Sequence, residues 1–292
     1  MKSIVIGGLG FIGSAIVDRL VRCGSEVKII DTKRSDSSGP IKTVKCDIMN
    51  FEQLSVEFDG YEDVYNLAGK LGTSELDDEI IDAVNINVIG ALNVFNAAIK
   101  SGIKTVFYPS KPNVWLNTYT ITKCASEQFA QLYNKKHLDD PSGFPLRIVS
   151  LRLFNAYGPR QHIGPIRKIV PDFAMRALQG RPIEIFGSGE QTVDMIYVKD
   201  IAEIAVEFTR NRYIDFVDCG RGIPVTVNQV ADFVKDYYKS DSDIVHVPMR
   251  KGETPDTKLV ADITGLKKYG SFSFSNYEES MAETLEYYRT LI

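Results

Sequence analysis

Two stretches of this chain have the residue types and spacing to do chemistry. One is Tyr119-Thr120-Ile121-Thr122-Lys123. Positions i and i+4 of a helix share a face, so a phenol and an ammonium so spaced can act on one substrate. A free tyrosine titrates near pH ~10 and is a poor base at neutral pH; a lysine charge beside it favours the phenolate and draws that value down. Taken alone, the pair also fits a solvated helix face. The other stretch is Gly7-Gly8-Leu9-Gly10-Phe11-Ile12-Gly13. Glycines there let the backbone turn tightly and approach a pyrophosphate, which rests on the N-terminus of the next helix. Asp31 closes the following apolar run. Its carboxylate would accept hydrogen bonds from adenosine ribose hydroxyls and repel a 2′-phosphate, which favours NAD over NADP. Lys33 and Arg34 follow closely and would welcome that phosphate.

These residues need elements to hold them. Residues 3–6 are a β-branched run ending in glycines, the pattern of a strand buried on both faces. Residues 14–23 have helical spacing (Ile16, Val17, Leu20) and stop at Gly24, a natural C-terminal cap. The apolar run 27–30 follows, and strand-like and helix-like stretches then alternate over 43–46, 64–67, 87–100, 105–108, 118–133 and 148–154. Such alternation predicts an α/β fold of βαβ units, a doubly wound parallel sheet with helices on both faces. Past residue 155, Pro159, Pro165, Pro171 and Pro182 break the chain into short pieces. Strands are expected at 195–197 and 216–219, and helices at 201–210, 227–238 and 277–288. Residues 35–40 are the most loop-like segment.

The spacing Gly7-x-x-Gly10-x-x-Gly13 resembles that of the extended short-chain dehydrogenase/reductase superfamily, which includes the nucleotide-sugar epimerases and dehydratases, UDP-glucose 4-epimerase among them. The likeness runs from Lys2 to about Tyr288. Asp47-Ile48 looks like the pair that meets the adenine, and Asn66-Leu67-Ala68-Gly69 like the strand-end motif under the cofactor. Asn87-Val88-Ile89-Gly90 is similar to a helix motif whose Asn lies by the cofactor. Phe11 and Ile12 in the turn and Thr32 after Asp31 join these cofactor contacts. The Tyr119–Lys123 pair matches the superfamily's Y-x-x-x-K, and Ser110 its catalytic Ser/Thr, which implies a Ser110–Tyr119–Lys123 triad. Residues 151–161 resemble R-x-F-N-x-Y-G-P-R-Q, so Asn155 inherits a contact to the sugar-nucleotide phosphates. Residues 182–191 look like the segment lining the nucleotide, and 194–200 like the strand that rejoins the cofactor domain. Arg250-Lys251-Gly252-Glu253 matches R-x-G-E, whose Arg grips the diphosphate. The resemblance implies a Rossmann domain, 1–155 with 189–219, carrying a smaller mixed α/β substrate-binding domain, 156–188 with 220–292. It also implies a homodimer made by helices near 87–100 and 118–133, with Val88, Leu92, Val94, Phe95, Phe129 and Leu132 shared between core and interface.

Three departures stand out. Eight residues separate Ser110 from Tyr119, fewer than in relatives, which alters the sugar pocket. Lys111-Pro112 follow Ser110 where 4,6-dehydratases carry an Asp-Glu pair, so elimination of water lacks its usual acid and base. Val193 stands where many relatives have an Arg before the Asp.

Bulk properties exclude other classes. A net charge of −4 offers no field for a nucleic-acid backbone. Four scattered cysteines and three single histidines give no metal spacing. No run of about 20 apolar residues announces a membrane span, and residues 1–17 read as strand and turn rather than a signal peptide, which points to the cytoplasm. The expected activity is an NAD-dependent epimerase that oxidises a nucleotide sugar transiently at C4. The same triad would serve a keto-sugar reductase or a dehydrogenase, and an intact triad argues against a non-catalytic NAD-binding module.

Overall fold

Strands apolar at successive positions need cover on both faces, and the N-terminal strands of this chain are of that kind. The computed structural model describes residues 1–33, 40–251, 253–255 and 257–292; Arg34, residues 35–39 of the loop-like segment and Gly252 lie outside the described residues. Strands β1 (Lys2–Ile6), β2 (Glu26–Asp31), β3 (Lys42–Lys45), β4 (Asp63–Asn66), β5 (Thr105–Phe107) and β6 (Arg147–Leu153) form a parallel sheet. Its seventh member is the later strand β10 (Phe216–Cys219), and in chain order three others come between: β7 (Asn155–Tyr157), β8 (Ile183–Phe186) and β9 (Thr192–Tyr197). The sheet order is β10-β6-β5-β4-β1-β2-β3. Successive side chains alternate across it. Val5, Tyr65, Phe107 and Val149 enter one core with Ile16 and Leu20, while Ile4, Ile6, Val64 and Ile148 enter the other with Val94 and Phe95.

Helices α1 (Phe11–Arg22), α2 (Phe51–Glu57), α3 (Ile80–Val84), α4 (Gly90–Lys100), α5 (Thr118–Asp139), α6 (Ile169–Leu178) and α7 (Val198–Asn211) make most of the cover. α1 and α7 lie on the first core; α2, α4 and α5 lie on the second. The chain winds outward from β1 to β3, then returns to lay β4 on the other side of β1. Strand order reverses there, and a crevice opens at such a point beyond the C-terminal strand ends. A π turn, Asn85–Ile89, joins α3 to α4 into one rod, Ile80–Lys100. At 21 residues and a mean hydropathy of 1.4 it is long and apolar enough to cross a membrane, although the sequence reading expected no such run. Ala91, Val94, Phe95, Ala97 and Ala98 turn into the second core and account for that apolarity. α5 outruns its expected end at 133 because Asn134 ties it to β6, donating to Ile148 O and accepting from Ile148 N, both at 2.7 Å.

The remainder is a smaller mixed unit. β9 is central to a second sheet with β7, β11 (Pro224–Thr226) and β13 (Lys258–Leu259), and β8 pairs in parallel with β12 (Ile244–Val247). Around them lie α8 (Val227–Tyr238), α9 (Thr264–Lys267) and α10 (Tyr277–Arg289). Residues 194–200, which resemble the strand that rejoins the cofactor domain, form the end of β9 and the start of α7, and β9 pairs within the small sheet. The sheet position beside β6 is taken by β10, and the chain returns through α7, which packs on α1. α6 was hidden by Pro171, which sits in its first turn, where a missing N–H costs nothing.

β9 is pinned by Asp194, a fully buried carboxylate. It accepts from Arg221 N and Gly222 N, both at 2.8 Å, and from Ala261 N at 3.1 Å. Asp194→Ala would strand three N–H groups, each costing ~1–3 kcal/mol if left unsatisfied. We expect a loss of at least ~3 kcal/mol in urea unfolding; a loss within experimental error would show that other acceptors replace the carboxylate.

Candidate active site

The glycine turn stands on β1 at the reversal point. Gly7 has φ +73°, and a Cβ on Gly13 would lie 2.1 Å from Gly7 O, so the helix can approach the strand only without one. α1 begins after Gly10 with no side-chain cap and no acidic residue in its first turn, where Phe11 and Ile12 sit partly buried. Its amide ends and positive dipole end are therefore not neutralised, the arrangement that suits a pyrophosphate. Asp31, at the end of β2, accepts from Leu9 N (3.1 Å) and Lys33 N (3.0 Å), with Thr32 between. One carboxylate thus joins the glycine turn to the place where the ribose would lie.

The other strand ends complete the crevice. Asp47 is exposed and accepts from Met49 N at 2.9 Å, while Ile48 is buried against Gly90, where a Cβ would come within 2.4 Å of its Cδ1. Leu67, Ala68 and Gly69 follow β4 as an extended segment. Asn87, in the π turn, accepts from Lys70 N (2.7 Å) and donates to Lys70 O (3.1 Å) and to Thr122 Oγ1 (3.0 Å). Asn87 therefore clamps the 67–70 segment to α5 one residue before Lys123. π turns of this kind recur at functional sites.

Tyr119 and Lys123 lie on the first turns of α5. Asn117 caps that helix by accepting from Thr120 N at 2.8 Å, and Asp77 accepts from Thr118 N and Thr118 Oγ1 at 3.2 and 2.8 Å. The Lys123 ammonium is buried, 3.9 Å above the ring of Tyr108, a neighbour that sequence reading did not find. Burial pulls Lys123 down to about 8, against the opposing pull of Tyr119 and Glu127. Lys123 was expected to lower the phenol of Tyr119. It acts in that sense, but burial is stronger and leaves the phenol above its ordinary value. Ser110, just past β5, is held by its backbone to Leu151 and Leu153, and its buried Oγ has no hydrogen-bond partner among the described residues.

A second cluster lies in the smaller unit. The guanidinium of Arg250 stacks 5.0 Å from the Phe186 ring, and that of Arg167 stacks on the same ring at 4.7 Å. Arg250 donates to Arg167 O and pairs with Glu253, both at 3.3 Å. Lys168, not singled out in the sequence, is lowered by burial and then by the charge of Arg250. Together they form a cationic surface of the kind that suits a diphosphate. Asn155 Oδ1 is buried without a partner among the described residues. Val193, in the place of an arginine, is a core residue facing Val225 and Leu259 across the small sheet.

Residues 3–214 match the NAD dependent epimerase/dehydratase family. The chain belongs to that family. Along 99% of its length it is 28% identical to the UDP-N-acetyl-alpha-D-glucosaminuronate decarboxylase of Bacillus cytotoxicus, over 98% of that protein. It is also similar to the UDP-N-acetylglucosamine 4-epimerase of Methanobrevibacter ruminantium M1 in complex with UDP-N-acetylmuramic acid (TM-score 0.87, 29% identity, 100% of this chain and 99% of that one). A third likeness is to the UDP-glucose 4-epimerase of Thermotoga maritima with UDP-glucose (TM-score 0.88, 27% identity, 100% and 99%). This epimerase/dehydratase family member is therefore an NAD-dependent enzyme of the nucleotide-sugar epimerase and decarboxylase type. NAD is its cofactor, and the Gly7–Gly13 cradle, which a single Cβ would fill, fits a dinucleotide.

Asp31→Ala removes the charge that opposes a 2′-phosphate. In fluorescence titrations the unmodified protein should bind NADH more tightly than NADPH, and the variant should narrow that gap. Equal affinities before substitution would refute the assignment of Asp31.

Proposed function

We propose that this protein epimerises a nucleotide-activated sugar by transient oxidation at C4. The observation that carries the reading is the pairing of Tyr119 and Lys123 on one buried helix face, with the unpartnered Ser110 Oγ at the end of the adjacent strand. NAD, held by the glycine cradle, Asp31, and the 67–69 segment, supplies the capacity to accept a hydride and return it. Tyr119, as phenolate, takes the proton of the C4 hydroxyl and gives it back at the end. Lys123 lowers the cost of that phenolate, since its charge opposes the rise imposed by burial. Ser110 donates to the same sugar oxygen and holds it in line. Asn155, Arg250 and Lys168 hold the diphosphate while the sugar turns over between the two half-steps.

Loss of water is disfavoured because the groups beside the site are unsuited to it. Lys111 and Pro112 stand where the carboxylate pair of that chemistry would be, and Lys111 as an ammonium offers no base for the C5 proton. Burial pulls the Glu75 carboxyl upward, but the backbone N–H of Thr73 and the charges of Arg250 and Lys168 leave it below its ordinary value, so it is ionised at neutral pH. A net reductase or dehydrogenase would use the same groups and differ in releasing its keto-sugar or its NAD(H).

The assembly we infer is a homodimer. Ile81 on α3 is 72% exposed, Ile89 in the π turn 41%, and Phe129 and Leu132 on α5 38% and 46%. Val94 and Phe95 are wholly internal, so the interface is narrower than the apolar pattern implied. We place the enzyme in the cytoplasm, where its four unpaired cysteines would stay reduced. Light scattering at micromolar concentration should give twice the chain mass of 32.6 kDa; a monomer would end the dimer assignment.

Product mass separates the chemistries. An epimer keeps the substrate mass, net oxidation removes two hydrogens, and dehydration or decarboxylation removes water or carbon dioxide. Tyr119→Phe should lower turnover by ~10²–10⁴-fold, the range for a lost acid–base group. Lys123→Ala should slow turnover and move the rising limb of the pH–rate profile upward, because the phenol, already raised by burial, loses the charge opposing that rise. A limb that stays in place would detach Lys123 from the titration, and a water-loss product would overturn the epimerase assignment.

A further inference from the structure

Buried lysines elsewhere in this chain have acidic company. Lys28 pairs with Glu57 at 3.1 Å, and Lys123 has Glu127 one turn along α5. Lys111 differs. Its Nζ donates to Thr120 Oγ1 at 2.7 Å and to Pro112 O at 2.9 Å, both neutral oxygens, and among the described residues it forms no ion pair. An ammonium has three donors, so one remains for another acceptor. Lys111 is half-buried, and packing alone gives no return for this arrangement, because a partly desolvated charge without a counter-charge is costly. Of the groups whose fields reach it, Cys124 is a thiol that burial holds above its ordinary value, and Glu253 pairs with Arg250. Burial correspondingly draws Lys111 down to about 8.

Its position relative to the proposed chemistry gives the uncompensated charge a use. Lys111 follows Ser110 directly, and its Nζ lies 5.9 Å from the Tyr119 ring centroid and 5.3 Å from that of Trp115. Trp115 packs with Phe154, at the junction of β6 and β7, and with Leu259 and Ala261 of the smaller unit, so the short 111–117 loop is braced rather than loose. The ammonium thus stands at the wall against which a sugar on Tyr119 would rest. We infer that Lys111 is a specificity residue that pairs with a carboxylate on the sugar ring, so that the preferred substrate is an acidic nucleotide sugar rather than a neutral one. The inference rests on the nucleotide-sugar reading above and adds the charge of the sugar to it. A lysine, a compact point charge with rotatable donors, suits a carboxylate approached from one side.

The test is calorimetric titration of the NAD-loaded protein with UDP-glucose and UDP-glucuronate, which differ only at C6. The acidic ligand should bind at least tenfold more tightly. Lys111→Met should reduce that preference at least tenfold, and Lys111→Arg, which keeps the charge, should retain most of it; circular dichroism confirms that both variants fold. A preference near one in the unmodified protein, or one unmoved in Lys111→Met, overturns the role of Lys111. If UDP-glucose binds and turns over in that case, the epimerase reading stands without it; if neither ligand binds, both fall.

Discussion

The site depends on keeping an ammonium in a dry place. Lys123 is buried, and desolvation of such a charge would remove it unless its surroundings compensate. The compensation comes from several elements at once. The Tyr108 ring lies beneath it from the end of β5, Tyr119 sits one turn before it, and Glu127 one turn after. Glu127 is in turn gripped by Arg152 of β6, with contacts of 2.5 to 3.1 Å. α5 is fixed at its start by Asn117 and Asp77 and near its end by Asn134. The balance at Tyr119 follows from the same dryness: a wetter site would ease the phenolate, but would weaken every charge that directs it.

Much of this was legible in the chain because it depends on local rules. The glycine spacing and Asp31 mark a turn whose geometry tolerates few residue types, and the Cβ clash at Gly13 shows why. The strands 3–6 and 216–219 and the helix 227–238 announce themselves by short, mostly apolar runs and by helical periodicity. Long-range partners were hidden. Nothing local to Asp194 says that it will accept from residues 27, 28 and 67 positions away. A strand at 195–197 was therefore legible, but its place in the small sheet was not. Tyr108 under Lys123 and Lys168 beside Arg250 are likewise meetings made by topology, with no spacing to reveal them. The sign of the phenol's shift needed the burial of the site, which residue types do not carry.

Asn87, a candidate cofactor contact, is in this structure a fastener. Its three side-chain bonds all go to protein groups, and its carbonyl accepts from Ser126 Oγ at 2.7 Å. The π turn lets one residue bind the segment after β4 and α5 together. The 67–70 segment and the start of α5 are consequently tied to each other through one side chain.

β6 and β7 are nearly one continuous strand, parted only by Phe154, whose N–H bonds to Cys219 O at the end of β10. The chain crosses between the two sheets again from Tyr197 into α7 and once more from Cys219 to Pro224. The smaller unit is thus no detachable module: a recombination event that exchanged it for a relative's would have to match three junctions at once. The loop after β5 is free of that constraint, being one short excursion between fixed ends. Divergence in what this scaffold acts upon is then easiest there, one codon at a time, while the architecture around it is inherited whole.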